Sequence, residues 1–292
     1  MTMDSMTSRT SNPRLQRLQE KVESYVADDK LYEAEQIYLT ICSRLFGTEQ
    51  YEEAIEVAVK GALRLLSLHS GKAGAKLAMQ VLDFFKATKQ PISDTNIGII
   101  TRIFRVFSDE NKTEKVNFMK AAIKWSMTPP SGYSLGHPTL QLEFAKYYQN
   151  SGAYGEANKH FLKSHNDEMH FKMLVDWSNK VEPNEKDLLF TRTILQYLTL
   201  ENVEGAQKLF ARFPQDLQTP LMNFTRLLLE AIRRDSAPLF QMLRFKYSIS
   251  IQRDPSFAQF FDRIGMVCFH IEPADGRGMG GFLSQLFSNI AD

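Results

Sequence analysis

The sequence predicts an all-α protein: a right-handed α-solenoid of irregular antiparallel helix pairs of the tetratricopeptide type, with about fourteen helices. Three observations predict it. From Asn12 onward apolar residues recur at three- and four-residue steps, in segments of about 12 to 20 residues separated by short breaks. Only 15 glycines and 11 prolines occur in 292 residues, too few for the turn punctuation that a β-sandwich of this length needs. An aromatic residue shortly before Glu-Ala recurs at Leu31-Tyr32-Glu33-Ala34, Tyr51-Glu52-Glu53-Ala54 and Ala153-Tyr154-Gly155-Glu156-Ala157. In helix-pair repeats such a small Ala admits the neighbouring helix and the Tyr fills the adjoining gap. The first two copies are 20 residues apart, one helix rather than one pair, so the repeats are irregular.

The first helix is the clearest. Asn12 caps it, Pro13 is its first residue, and Leu15, Leu18, Val22 and Tyr25 fall on one face. Arg14, Arg17 and Lys21 lie along the flank of that stripe. Further helices are expected over residues 31 to 46, 49 to 68, 72 to 88, 93 to 107, 111 to 126, 138 to 150 and 154 to 164, then 168 to 180, 185 to 200, 202 to 213, 219 to 233, 236 to 249 and 255 to 271. Short connections make consecutive helices antiparallel, and so many helices exceed one bundle layer, which favours the solenoid. The stretches 127–137 and 213–220 are the longest irregular ones, each readable as a hinge or as a surface loop. The expected organisation is a flexible tail over 1–12, one solenoid half over 13–130 and a second over 131–292.

Composition excludes several classes of function. The 35 Lys and Arg against 34 Asp and Glu leave a net charge of +1, so no global field gathers nucleic acid or an anionic membrane. The two cysteines, Cys42 and Cys268, show no metal-ligand or disulfide spacing. Residues 1–12 lack an apolar signal core, and the most apolar stretch, Leu188 to Leu200, contains Arg192. A soluble, cytosolic protein without membrane insertion is expected.

Catalytic signatures fail on context. Gly276, Gly278 and Gly281 have dinucleotide-loop spacing but no strand before them, and Gly71-Lys72 belongs to no phosphate loop; Gly71 and Gly74 are expected in the turn into a helix. His160, His165 and His170 recur every five residues, which scatters them over a helix surface, so they are expected as loop and surface residues. Cys42 shares an apolar face with Ile37, Ile41 and Leu45 and is expected to be buried rather than nucleophilic. No catalytic residue, metal or cofactor is expected. Two features point to recognition instead. One is the basic row Arg14, Arg17 and Lys21, extended by Arg44 if the first two helices pack side by side. The other is the sparsely charged run from Pro255, closing on the amphipathic residues Phe282, Leu283, Leu286, Phe287 and Ile290. That segment either folds back on the last helices or is covered by a partner.

A series of motifs carries a family resemblance: Tyr32-Glu33-Ala34, Tyr51-Glu52-Glu53-Ala54 with Gly61-Ala62-Leu63, Trp125-Ser126 with Gly136-His137-Pro138, Arg253-Asp254-Pro255 with Asp262-Arg263-Ile264-Gly265, and Gly280-Gly281-Phe282-Leu283. Taken in order, from Pro13 to Ile290, they resemble the fourth factor of the guided entry of tail-anchored proteins pathway, also called Golgi-to-ER traffic protein four. The resemblance implies a cytosolic all-α scaffold without catalysis of its own, which docks the pathway's targeting ATPase through the N-terminal half and a ubiquitin-like protein through the C-terminal half. The ubiquitin-like protein in turn brings a co-chaperone carrying the tail anchor, and animal relatives add a BAG-domain scaffold protein. Arg14, Arg17, Lys21 and Arg44 occupy the family's basic first hairpin and are the implied ATPase contacts. Lys76 stands where members often carry an acidic residue on the side thought to modulate the ATPase. The loop 213–220 is short beside the hairpin that clasps the ubiquitin-like partner in relatives, which leaves Phe282, Leu283, Leu286 and Phe287 to bind that partner. The competing readings are a generic helical-repeat adaptor of vesicle traffic or of a proteasome-lid type assembly, and a helical enzyme with an unrecognised site.

Overall fold

The structure, a computed structural model, describes residues 13–213 and 218–271, with side chains from Leu15 onward. The expected tail over 1–12, residues 214–217 of the second irregular stretch, the side chain of Arg14, and the closing segment with Phe282, Leu283, Leu286 and Phe287 lie outside the described residues. Among the described residues there are fifteen α-helices and no strand. They are α1 (Pro13–Ala27), α2 (Leu31–Gly47), α3 (Tyr51–Ser67), α4 (Gly71–Ala87), α5 (Asp94–Val106), α6 (Lys112–Ser126), α7 (Pro138–Asn150) and α8 (Tyr154–Phe161). There follow α9 (Asp167–Ser178), α10 (Lys186–Thr199), α11 (Val203–Phe210), α12 (Pro220–Arg233), α13 (Ala237–Lys246), α14 (Ser248–Ile251) and α15 (Phe257–Phe269). The all-α expectation holds. The additional helix arises because the stretch expected over 236–249 breaks at Tyr247 (φ −103°, ψ 17°), whose ring packs on Phe224 of α12.

The chain divides into two compact units between Leu140 and Gln141, inside α7. The first buries Ile41, Leu45, Leu65, Leu77, Val81, Phe85 and Phe118. The second has a core richer in phenylalanine, built around Phe161, Phe190, Phe224, Phe240, Phe257 and Phe261. Each fully buried side chain of this size contributes about 1.5–3 kcal/mol of transfer free energy, and in both units the helices are held by these faces rather than by helix propensity.

The connections explain how so few glycines suffice. At Lys30, Gln50, Ser70, Ala153, Asn202 and Ser236 one residue both ends a helix and starts the next. Its N–H donates to the carbonyl five residues back at 2.8–3.0 Å, and its carbonyl accepts from the N–H four residues on, in the first turn of the following helix, at 2.9–3.1 Å. This 6→1 closure needs a left-handed residue just before it, and those residues are Asp29, Glu49, His69, Gly152, Glu201 and Asp235. Only one of the six is glycine. Four residues beyond the shared residue stand Ala34, Ala54, Gly74, Ala157 and Ala206, all buried, with Phe240 completing the set. The Glu-Ala repeat is therefore the mark of this turn: a tight reversal brings the next helix so close that a small residue is required. Asn202-Val203-Glu204-Gly205-Ala206 is a further copy without an aromatic residue. The expected role of the tyrosines holds only in part. Tyr154 is buried, whereas Tyr51 is exposed and Tyr32 stands 66% exposed.

Close approach also accounts for two glycines inside helices. A Cβ at Gly61 of α3 would come within 2.8 Å of Leu77 and 2.9 Å of Tyr38, and one at Gly74 of α4 within 2.6 Å of Leu66. Gly71 opens α4, but Gly74 sits within the helix rather than in the turn leading into it.

A left-handed conformation costs a non-glycine residue roughly 1–2 kcal/mol, part of which glycine returns through its freer unfolded chain. Glu49→Gly is therefore expected to stabilise the first unit by about 0.5–1 kcal/mol in urea unfolding followed by circular dichroism, and Glu49→Val to destabilise it.

Candidate functional site

The α1–α2 hairpin presents the basic residues singled out in the sequence. The apolar stripe of α1 turns Val22 fully inward against α2, with Leu15, Leu18 and Tyr25 half-buried beside it, which leaves Arg17 and Lys21 exposed. The three-residue connection makes the helices antiparallel, so residues equally far from the turn lie level with one another. Residue 14 and Arg44 are each thirteen positions from the helix end at that turn, which places Arg44 at the open end of the hairpin. Lys21 sits about 10 Å nearer the turn. Among the described residues Arg17, Lys21 and Arg44 form no ion pair; Lys21 lies over the Tyr25 ring at 5.3 Å. The hairpin thus exposes a set of uncompensated cations. Lys76 is different. From α4 it reaches the buried Glu35 of α2, Nζ to Oε1 2.8 Å, and this carboxylate holds the Lys76 ammonium above its usual pKa through the hydrogen bond and its charge.

In the second unit two reciprocal ion pairs fasten α10 to the turn before α15. Arg253 donates to both carboxylate oxygens of Asp187, at 2.7 and 3.0 Å. Arg192 donates from Nε and Nη2 to Asp254 Oδ2, at 2.9 and 2.6 Å. Both aspartates are buried. Ser256, which donates to Asp254 from its backbone and hydroxyl, and Arg192 outweigh the burial of this carboxylate and hold its pKa below the ordinary range. On the other side of this assembly Phe240 of α13 stacks on Phe269 at 4.7 Å. With that face of α13 turned inward, Met242, Phe245 and Ile249 project from α13 and α14 at 54%, 86% and 85% exposure. Met242 and Phe245 lie three residues apart on α13 and Ile249 follows beyond the break at Tyr247; among the described residues these three are the exposed large apolar side chains of this unit. Sequence reasoning passed over them because the same spacing describes any core-facing stripe.

Comparison with known proteins gives one family throughout. Residues 48–287 match the family model of Golgi to ER traffic protein 4. The chain is 32% identical over 280 residues to the Golgi to ER traffic protein 4 homolog of Dictyostelium discoideum, covering 94% of this chain and 90% of that one. The Homo sapiens homolog is 31% identical over 288 residues, with 94% and 86% covered. The chain belongs to the Golgi to ER traffic protein 4 family. The crystal structure of C. therm. Get4 superposes with a TM-score of 0.80 at 22% sequence identity, covering 94% of this chain and 96% of that one, so the fold is shared across its length.

Within this family framework Arg253-Asp254 and Arg263 acquire a physical role. The first two residues lock α10 to α15, and Arg263, nearly buried, reaches Glu201 at 3.4 Å. Cys42 and His170 belong to the buried core. Cys42 is buried, its Sγ 3.7 Å from the Ala54 carbonyl, and burial pushes its thiol up to about 12. Of the histidines, His170 overturns the expectation of loop and surface positions. His165 is exposed, His160 is half-buried and stacked on Tyr148, and His170 is fully buried. His170 Nε2 donates to Asn158 Oδ1 and Nδ1 pairs with the Tyr197 hydroxyl, each at 2.7 Å, while Asn158 donates onward to Gln196 at 2.8 Å. Five-residue spacing does separate the three rings, but α9 turns its own inner face, and with it His170, into the core.

Burial holds His170 neutral, with a pKa near 3, while the unfolded chain protonates near 6.5. The unfolded state therefore binds more protons below pH 6.5, and stability falls as pH drops through that range, by about 2 kcal/mol at pH 5. The measured stability gap between the wild type and His170→Gln is expected to narrow by that amount between pH 7 and pH 5 in denaturant titrations.

Proposed function

We propose that this member of the Golgi to ER traffic protein 4 family is a cytosolic scaffold in post-translational targeting of tail-anchored membrane proteins to the ER, holding a ubiquitin-like protein and the pathway's targeting ATPase on one chain. The observation that carries this reading is the presence of two chemically unlike exposed surfaces on separate units. One is the cationic α1–α2 hairpin in the first; the other is the exposed apolar set Met242, Phe245 and Ile249 in the second. Arg14, Arg17, Lys21 and Arg44 suit a carboxylate-bearing surface of the ATPase. The apolar set, together with Phe282, Leu283, Leu286 and Phe287, suits the ubiquitin-like partner, which brings the co-chaperone. No helix among the described residues is long and apolar enough to cross a membrane.

The mechanism is tethering rather than catalysis. Two partners held on one scaffold meet at an effective concentration set by the scaffold, so that an apolar helix passes between their binding sites without a period free in water. Exposed charges give fast, salt-sensitive association, whereas the apolar contact is insensitive to salt. The two docking events therefore separate by ionic strength. Lys76 gives the α4 surface a cation already engaged by Glu35, so the ATPase contact rests on the first hairpin.

Arg17→Glu with Lys21→Glu is expected to weaken ATPase binding by about tenfold or more in calorimetry, with the ubiquitin-like partner bound as in the wild type. Phe245→Asp with Ile249→Asp is expected to give the reverse pattern. Variants that leave both affinities unchanged would remove both surfaces from the mechanism and favour the generic helical-repeat adaptor.

A further inference from the structure

A third surface lies on the first unit, between α3 and α5. Chain reversal at each turn leaves α3 and α5 running in the same direction, and between them opens a groove of about 540 Å³. Its floor is apolar, formed by Ile55, Val59, Leu63, Phe85 and Ile99. Its charges are ordered along its length. Glu52 and Glu56 border the end where α3 begins; Lys60 and Arg102 border the region further along. Eight residues of helix separate Glu52 from Lys60, about 12 Å. Among the described residues Glu52, Glu56 and Arg102 form no ion pair, and Lys60 meets Glu23 only at the 4.0 Å limit. The groove thus keeps both signs of charge available to an occupant, an arrangement that a merely solvated helix surface does not require.

We propose that this groove receives a short amphipathic helix of a partner protein, laid antiparallel to α3 and α5. Its apolar residues at i, i+3, i+4 and i+7 enter the floor. Its first turn carries acidic residues that meet Lys60 and Arg102, and its last turn carries basic residues that meet Glu52 and Glu56. This is also the charge order that favours an isolated helix, because anions stabilise its N-terminus and cations its C-terminus. Antiparallel entry continues the alternation by which this fold packs each helix beside the one before it. The surface is additional to the two docking sites proposed above and does not depend on them.

The test uses the full-length protein and two fluorescein-labelled peptides of about 16 residues with blocked ends. Both carry leucines at the stated spacing; one has a glutamate-rich first turn and a lysine-rich last turn, and the other has these ends exchanged. Fluorescence anisotropy is expected to give about tenfold tighter binding of the first peptide. Because the exchanged peptide is also a poorer helix, the deciding variant is Glu52→Lys, Glu56→Lys, Lys60→Glu, Arg102→Glu. It changes four exposed side chains at constant net charge and is expected to invert the preference. Ile99→Asp is expected to abolish binding of both peptides. Equal affinities for the two peptides, a preference that the fourfold variant leaves in the same sense, or binding that survives Ile99→Asp would each overturn the proposal.

Discussion

The turn in which one residue serves two helices governs the rest of this structure. At Lys30, Gln50 and Ser70 the N–H closes the finished helix and the carbonyl opens the next, so the connection has no slack. With seventeen residues in each of α2, α3 and α4, the chain repeats every 20 residues, and alternate helices come into register at 40. That register is visible in side chains. Phe46 of α2 stacks on Phe84 of α4 at 4.7 Å, and Phe85 meets Trp125 of α6 at 5.1 Å. Lys76 reaches Glu35 across a similar span of 41 positions. Strain at the left-handed residues is offset by the carbonyls each turn satisfies and by the apolar faces it brings together.

The two units solve the problem of specificity differently. The first relies on small residues at close approaches, with Gly61, Gly74, Ala34 and Ala54 setting helix separations. The second places polar groups inside. His170, Asn158, Tyr197 and Gln196 form a connected set, and the Asp187–Arg253 and Asp254–Arg192 pairs join segments more than sixty positions apart in the chain. Buried groups of this kind add little net stability, since desolvation opposes the attraction. Their consequence is that misdocking leaves a charge or a donor unsatisfied, which costs several kcal/mol, so one arrangement of α10 against α15 is strongly preferred.

Function follows from what this packing leaves outside. Among the described residues Arg17, Lys21 and Arg44 stand exposed and outside any ion pair, and Met242, Phe245 and Ile249 stand exposed on α13 and α14. Association through the former responds to ionic strength, and association through the latter to apolar area. Two surfaces of such unlike chemistry can be engaged independently of one another.

The helices, the loops and the family were legible in the sequence because they rest on local pattern: apolar spacing sets helix length, and Glu-Ala after a reversal marks the tight turn. Cys42 was legible for the same reason, since Ile37, Ile41 and Leu45 define its face. The break at Tyr247 was not, because no proline or glycine marks it and the ring is drawn in by Phe224 of another helix. His170 was misplaced since spacing separates side chains around one axis but does not say which side faces the core. Most of all, the set Met242, Phe245 and Ile249 reads in sequence like any buried face. Apart from the break at Tyr247, the sequence alone determined which segments are helical and where the tight turns bring neighbours in the chain together, both being questions of local sterics and hydrogen bonding. Tertiary structure alone decided which apolar and charged faces remain uncovered, because exposure depends on helices remote in sequence that do or do not arrive to cover them.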